Sequence, residues 1–292
     1  MSTIHHNKLV GLIRLIVPRG LRNALRRPKV SLSRIKAKLF HFVGGTSTAH
    51  IAEGITLKCH PLCNGEFSVF KQDHEQQAEM EGFIQIITPG TQFLDIGSHW
   101  GVFSLVAMKI GGSGSRAICI EASDQAVKVL RENLCLNQVQ DLVSVVNSAC
   151  GEKVGELRML TTGAGGADYF VVPADERPDT ITVPQVSADS VCESSRFQPT
   201  HMKVDVEGFE EEVLRGARRV LSEFKPHLFL ELHGDIIHRR GKSPEAVLDM
   251  LQEVGYSLWV SVDGGRLLSR QDLAEIGFNA RLSILPPPAT QS

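Results

Sequence analysis

From residue 76 onward two patterns take turns along the chain. Short apolar runs bounded by turn residues alternate with segments whose apolar positions recur at helical spacing. Residues 76–87 read as a helix ending before Pro89-Gly90. Residues 91–96 read as a strand, 101–110 as a helix closed by Gly111-Gly112, and 116–121 as a strand. Residues 124–136 place Val127, Leu130 and Leu134 on one helical face, with Asn137 as the stop. Residues 143–149, 201–206 and 227–232 read as strands, and 209–224 as a helix with Phe209, Val213, Ala217 and Val220 in register. Ser243-Pro244 opens a helix to about residue 254. Residues 256–262 and 280–285 close as strands. This alternation predicts an α/β fold: a doubly wound, mainly parallel sheet of seven strands with helices on both faces.

Ahead of this lies a different pattern. Leu9, Leu12, Ile13 and Ile16 recur at helical spacing with Lys8 and Arg14 among them, until Pro18 and Gly20 break the run. Leu32, Ile35, Leu39 and Phe42 do the same around Arg34, Lys36 and Lys38, ending at Gly44-Gly45. Charge sharpens the division. Ten of the 31 Lys and Arg fall in residues 1–50, which hold no Asp or Glu, leaving 21 basic against 33 acidic residues beyond. The expected organisation is a basic, partly helical arm over 1–74 and a domain over 75–292, with 155–190, rich in Gly and Pro, as a lid or insert. The amphipathic stretches within 8–42 suit either an anionic membrane surface or packing on the body or a second subunit. Nucleic acid is not expected as a partner, because the body is acidic and the arm lacks interleaved aromatics.

No apolar run is long enough to cross a bilayer, and the run 9–17 is interrupted by Arg14 and lacks a small-residue cleavage site. Six cysteines without a framework spacing suit a reduced, cytoplasmic protein, peripheral to the inner face of a membrane if the arm binds lipid. Cys59, His60 and Cys63 form half of a metal-type spacing with no second Cys pair to complete it.

In an open parallel sheet, ligands bind outside the carboxyl ends of the strands. The chain's polar groups gather there. Asp95 and Gly97 end the first strand, Glu121 the second, and Ser148 the third. Asp205 and Glu207 end the fourth, Glu231 and His233 the fifth. Members of each of these last two pairs are two residues apart and share a strand face. The turn Asp95-Ile96-Gly97-Ser98-His99-Trp100-Gly101 lacks the third glycine of a dinucleotide loop, and its Asp would repel a pyrophosphate. With Glu121 placed to accept from a ribose diol, it suits a cationic nucleoside, S-adenosyl-L-methionine.

The segment Phe93 to Gly101, the stretch Ile120-Glu121-Ala122, and the block Lys203-Val204-Asp205-Val206-Glu207-Gly208-Phe209-Glu210 resemble the FkbM-type methyltransferases, over roughly residues 75–260. The resemblance implies a class I, Rossmann-like methyltransferase fold that uses S-adenosylmethionine, usually on a hydroxyl of a sugar or natural product. It implies that Glu75, Asp95, Gly97, Ser98, His99, Gly101, Glu121, Ala122 and Ser148 lie around the cofactor. His99 stands where the family has Asn, and Ala122-Ser123 where a Pro is usual.

The expected chemistry is methyl transfer to a hydroxyl-bearing small molecule or glycan, with Asp205, Glu207 or His233 as base and Glu231 orienting His233. Asp205, Glu231 and His233 could also form a weak divalent-metal site, which is not favoured. A non-catalytic protein of the same fold, recruited to a membrane or assembly by its arm, is the competing reading. The carboxylates retained at the fourth and fifth strand ends favour the enzyme.

Overall fold

A computed structural model describes residues 44–286 apart from 68, 162–168, 172–179, 263 and 264, together with residues 37 and 40–42. The amphipathic segment 8–36 and the glycines at 163–166 lie outside the described residues, so the expectations placed on them are not addressed by the structure.

The first described element is a hairpin the pattern does not predict, β1 (Ser47–Ala52) and β2 (Ile55–Cys59), paired antiparallel around Glu53-Gly54. Its inward positions are the modest Ala49, Ile51, Leu57 and Cys59, too weak an alternation to announce a strand. Next come α1 (His74–Ile86), β3 (Gln92–Ile96), α2 (Val102–Gly111), β4 (Arg116–Ile120), α3 (Asp124–Leu136) and β5 (Val143–Val146). Then β6 (Ala149–Cys150), β7 (Gly155–Thr161), β8 (Tyr169–Val171) and β9 (Thr180–Val186) form a separate four-stranded sheet in the order β6-β9-β7-β8. The chain continues through α4 (Ala188–Ser195), β10 (His201–Val204), α5 (Glu210–Arg215), β11 (His227–His233), α6 (Gly234–Arg239), α7 (Glu245–Glu253), β12 (Trp259–Ser261), β13 (Leu267–Leu268), α8 (Arg270–Glu275) and β14 (Asn279–Ile284).

The central sheet has eight strands in the order β13-β12-β14-β11-β10-β3-β4-β5. The five strands from β5 to β11 run parallel, and β14 is inserted antiparallel between β11 and β12. This is the doubly wound, Rossmann-like architecture expected, with the short edge strand β13 added to the seven. The order reverses between β3 and β10, which is the topological switch.

Alternate residues of each strand face opposite sides, and both sides are dry. Leu94, Ile96, Ile118, Ile120, Met202 and Val204 pack with Val213, Leu214, Leu248 and Leu251. Phe93, Ala117 and Cys119 pack with Phe83, Leu105 and Leu130. The hairpin's Ala49, Ile51, Leu57 and Cys59 join this second core, so residues 47–59 share their burial with α1, α2 and α3. Burial on both faces is why the strands read as continuous apolar runs.

Two departures have local causes. The helix expected over 209–224 stops at Arg215 and resumes as a π-type turn, Val220–Phe224. A side chain at Gly216 would meet the Gly151 carbonyl at 2.0 Å, and the Asp189 carboxylate accepts the backbone N–H groups of Arg219 and Val220, opening a new helical start. In the other, the segment 155–190, read as an insert with short β-like pieces, contributes β7, β8 and β9, which make a sheet with β6 and a small core of Met159 and Val183 with Ala149.

Candidate active site

The switch point is built by close approach of two loops. Gly97 follows β3 with φ of 77°, and a Cβ there would lie 1.8 Å from the Asp205 carbonyl oxygen after β10. Only glycine lets both loops occupy this space. Gly97 and Ser98 donate their N–H groups to the Ile120 carbonyl (2.9 and 3.3 Å), and Asp205 donates to that of Ile96 (3.0 Å). Gly101, with φ of 82°, then starts α2.

On the β3–β4–β5 side the carboxylates are held by uncharged donors. Asp95 is 2% exposed and accepts the Ser104 hydroxyl at 2.6 Å. Burial raises it to about 6 against the lowering effect of that hydroxyl. Glu121 accepts the N–H of Ser123 (2.7 Å) and that of His99 (2.9 Å). Burial nevertheless raises Glu121 to about 7. The Glu121 contact holds His99 at φ of 49°, with its ring stacked on Trp100 at 4.3 Å between centroids. Asn147 donates to the carbonyls of Glu121 and Ala122, tying the β5 end, with Ser148 next to it, to the β4 end. These bonds link Gly97, Ser98, His99, Glu121 and Ala122 at the ends of β3 and β4, with Ser148 beside Asn147 at the end of β5, while Gly101 packs against Leu130 and Asp95 is buried within β3.

On the β10–β11–β14 side the partners are charged. Lys203, 3% exposed, lies 3.0 Å from Asp205 and 3.8 Å from Glu79 of α1. Arg281 of β14 stands directly across from Glu231 in the β11–β14 pairing. It donates to Glu231 at 2.6 Å and to Glu75 at 3.1 Å, and its Nε lies 3.3 Å from Glu79. Glu75 is therefore joined through Arg281 to this charged cluster. Burial would raise Asp205, but Lys203 and His233 hold it well below the usual carboxylate range. Glu231 is raised, first by burial and then by the charge of Asp205.

His233 ends β11 as the chain turns straight into α6, a helix the pattern did not announce. Its Nδ1 is 2.7 Å from Glu210 Oε1, and its Nε2 is 3.7 Å from Glu207 and 3.8 Å from Glu231. Glu210 therefore takes the place expected of Glu231, whose near oxygen Arg281 already holds. Burial alone would lower His233, but the bond and charge of Glu210, then Asp205 and Glu207, raise it to about 9. Glu207 and Gly208 take left-handed conformations (φ of 51° and 88°), and the Arg240 guanidinium contacts the Gly208 carbonyl and Glu212. Strained backbone of this kind gathers at functional turns.

All four residues expected to do chemistry, Asp205, Glu207, Glu231 and His233, meet at one rim. Facing oxygens of Asp205 and Glu231 and a nitrogen of His233 lie within 4.8 Å of one another. A cation there would compete with Lys203 and Arg281, which already neutralise those two carboxylates. Glu79, Ser104, Glu210 and Arg281 are the contributors that reading the sequence missed. Glu79 lies one helical turn from Glu75, which was a usable signal. Arg281 is 206 residues from Glu75, and nothing local marks it.

Known proteins resemble this chain at the level of its domain. The model of the methyltransferase FkbM domain matches residues 95–258, more than half of the chain. Among curated proteins, a ribosomal protein L11 methyltransferase of Chloroflexus aurantiacus is 36% identical over 67 residues, 23% of this chain and 20% of that protein. One from Desulforamulus reducens is 25% identical over 131 residues, 45% of this chain and 42% of that protein. The chain thus spans less than half the length of these curated relatives. Among solved structures, methyltransferase FkbM from Methylobacillus flagellatus KT aligns over 77% of this chain and 51% of that one, with 18% identity and a TM-score of 0.48. Aeropyrum pernix fibrillarin with bound S-adenosyl-L-methionine aligns over 72% of this chain and 75% of that one, with 11% identity and a TM-score of 0.41.

Proposed function

The chain belongs to the FkbM methyltransferase domain family, and from that premise we propose that it transfers the methyl group of S-adenosylmethionine to a hydroxyl of a sugar, glycan or natural product. The observation that carries the hydroxyl reading is His233: an imidazole at the end of β11 whose Nε2 faces Glu207 and Glu231 beside the switch point.

The β3–β4–β5 rim suits the cofactor. The Gly97–Gly101 turn allows backbone contact, and Glu121 keeps acceptor capacity for a ribose diol because each of its oxygens takes one backbone N–H. When bound, S-adenosylmethionine supplies a methyl group already activated by the positive sulfur. The protein's task is then to align an oxygen nucleophile and exclude water. On the β10–β11 side, Asp205, Glu207 and Glu231 accept hydrogen bonds from acceptor hydroxyls. Nε2 of neutral His233 receives the proton of the reacting hydroxyl as its oxygen bonds to carbon. The resulting imidazolium is stabilised by the surrounding carboxylates and returns its proton to solvent. General-base assistance of this kind is worth roughly 10²–10⁴-fold.

Calorimetry with S-adenosylhomocysteine tests the cofactor reading, with binding expected, and no binding would remove it. A panel of free sugars and methyl glycosides incubated with S-adenosylmethionine is expected to release S-adenosylhomocysteine with at least one hydroxyl acceptor. Turnover should persist in strong chelator. Loss in chelator, restored by a divalent cation, would transfer the base's role to a metal.

A further inference from the structure

Resting on the transfer reading above, we infer that Glu210 is a positioning residue: it fixes the tautomer of His233 so that the ring presents a bare Nε2 to the acceptor. Glu210 is fully buried at the start of α5, with no side-chain exposure. One oxygen, Oε1, takes both of its contacts, the N–H of Gly208 at 2.9 Å and Nδ1 of His233 at 2.7 Å. The other oxygen, Oε2, is buried without a hydrogen-bond partner among the described residues.

A buried carboxylate with half its acceptors unmet costs stability, and an apolar group of similar shape would cost less. Its retention is explained by what the contacted oxygen does. A carboxylate can only accept, so Nδ1 must carry a hydrogen. In the neutral ring the lone pair then sits on Nε2, which is 3.7 Å from Glu207 and 3.8 Å from Glu231. The same oxygen pins the Gly208 end of the left-handed turn, so the aim of Glu207 and the tautomer of His233 depend on one group. Asp205, Glu207 and Glu231 also face the ring, and the Glu207 and Glu231 contacts are to Nε2.

The experiment is nitrogen-15 NMR of the full chain with labelled histidine, the His233 signals being those lost in His233→Gln. In the wild type the neutral ring should carry its proton on Nδ1. A proton on Nε2 overturns the inference without any variant. In Glu210→Leu, which removes the acceptor facing Nδ1, the proton should move to Nε2, where Glu207 and Glu231 can accept it, and the titration should fall by two pH units or more. Glu210→Asp, which keeps the charge, should restore Nδ1 protonation. With an acceptor in hand, turnover of Glu210→Leu should fall 10²- to 10⁴-fold, while S-adenosylhomocysteine affinity changes less than threefold. An unmoved tautomer and titration in Glu210→Leu would leave Glu210 a purely structural residue. Failure of the wild type to bind S-adenosylhomocysteine would instead remove the transfer reading and leave the NMR result standing.

Discussion

β11 begins and ends with a histidine, and the two are opposites. His227 opens the strand with Nε2 2.7 Å from the Ser283 hydroxyl and its ring stacked on Phe229 and His201. Burial, then the neighbouring His201, lowers it to about 4. His233 closes the strand, is also half-buried, and is raised to about 9. Burial pushes both the same way, so the difference comes from what faces the rings: a hydroxyl and a second imidazole at one end, Glu210, Asp205, Glu207 and Glu231 at the other. The end of the strand beside the topological switch carries the carboxylates, and they make His233 far more basic than His227.

The sharpest way to break this contrast is to replace each ring. His233→Gln should lower turnover 10²- to 10⁴-fold, a loss of roughly 3–5 kcal/mol in transition-state stabilisation. His227→Gln should leave turnover within a few-fold. The pH profile carries the same contrast. His233 must be neutral to accept a proton, so kcat/KM should rise about tenfold per pH unit and level off near pH 9. A profile already flat from pH 6 would mean that His233 is not the base.

The contrast also explains what could be read from the chain alone. The β3 turn, Glu121 and the Asp205–Glu207 block were legible because strand end, glycine and acid are neighbours in sequence, and the parallel fold gathers all strand ends at one rim. Neither the role of Glu210 nor that of Arg281 could be read. The ring that Glu210 holds is 23 residues away, and Arg281 joins Glu231 only through a cross-strand register 50 residues apart. The hairpin at 47–59 was silent because its buried face is built from small and mixed residues. The break in the helix at Gly216 depends on Asp189, about 30 residues earlier in the chain.

Next in size is the charge that makes the carboxylate-rich end tolerable. Lys203→Met removes the ammonium between Asp205 and Glu79 while keeping most of the stem's volume. It leaves buried Glu79 and half-buried Asp205 without their shared partner, which should cost about 3 kcal/mol near pH 7. Denaturant unfolding measures this. The deficit should shrink toward pH 4, as the acids take up protons. A deficit independent of pH would mean that Lys203 acts by packing alone.

The opposite end of the strands sets acid stability. His227 titrates near 4 in the fold against an unfolded value of 6.5, and His201 is lowered too. A lowered histidine favours the fold fully above the unfolded value, and this contribution is lost as pH falls from 6.5 to 4. His227 alone accounts for at most about 3 kcal/mol of that loss. His227→Gln should flatten unfolding stability across this window, and an unchanged slope would show that the ring is already solvated.

The smallest effect probes the uncharged side of the switch. Ser104→Ala removes the hydroxyl that donates to Asp95 at 2.6 Å and also lies 3.1 Å from the Cys119 thiol. The cost expected for one buried donor is about 1–2 kcal/mol. Asp95 is raised by burial to about 6, so its carboxyl favours the fold when protonated, and that contribution is lost as pH rises through 6. Without Ser104 the ionised form loses its donor, the carboxyl rises further, and the deficit should be larger at pH 8 than at pH 5. That trend runs in the same direction as for Lys203→Met, but in Ser104→Ala no charge has been removed. Equal deficits at pH 5 and pH 8 would mean that Asp95 keeps its proton throughout, and that the β3 side of the site carries no charge beneath the glycine turn.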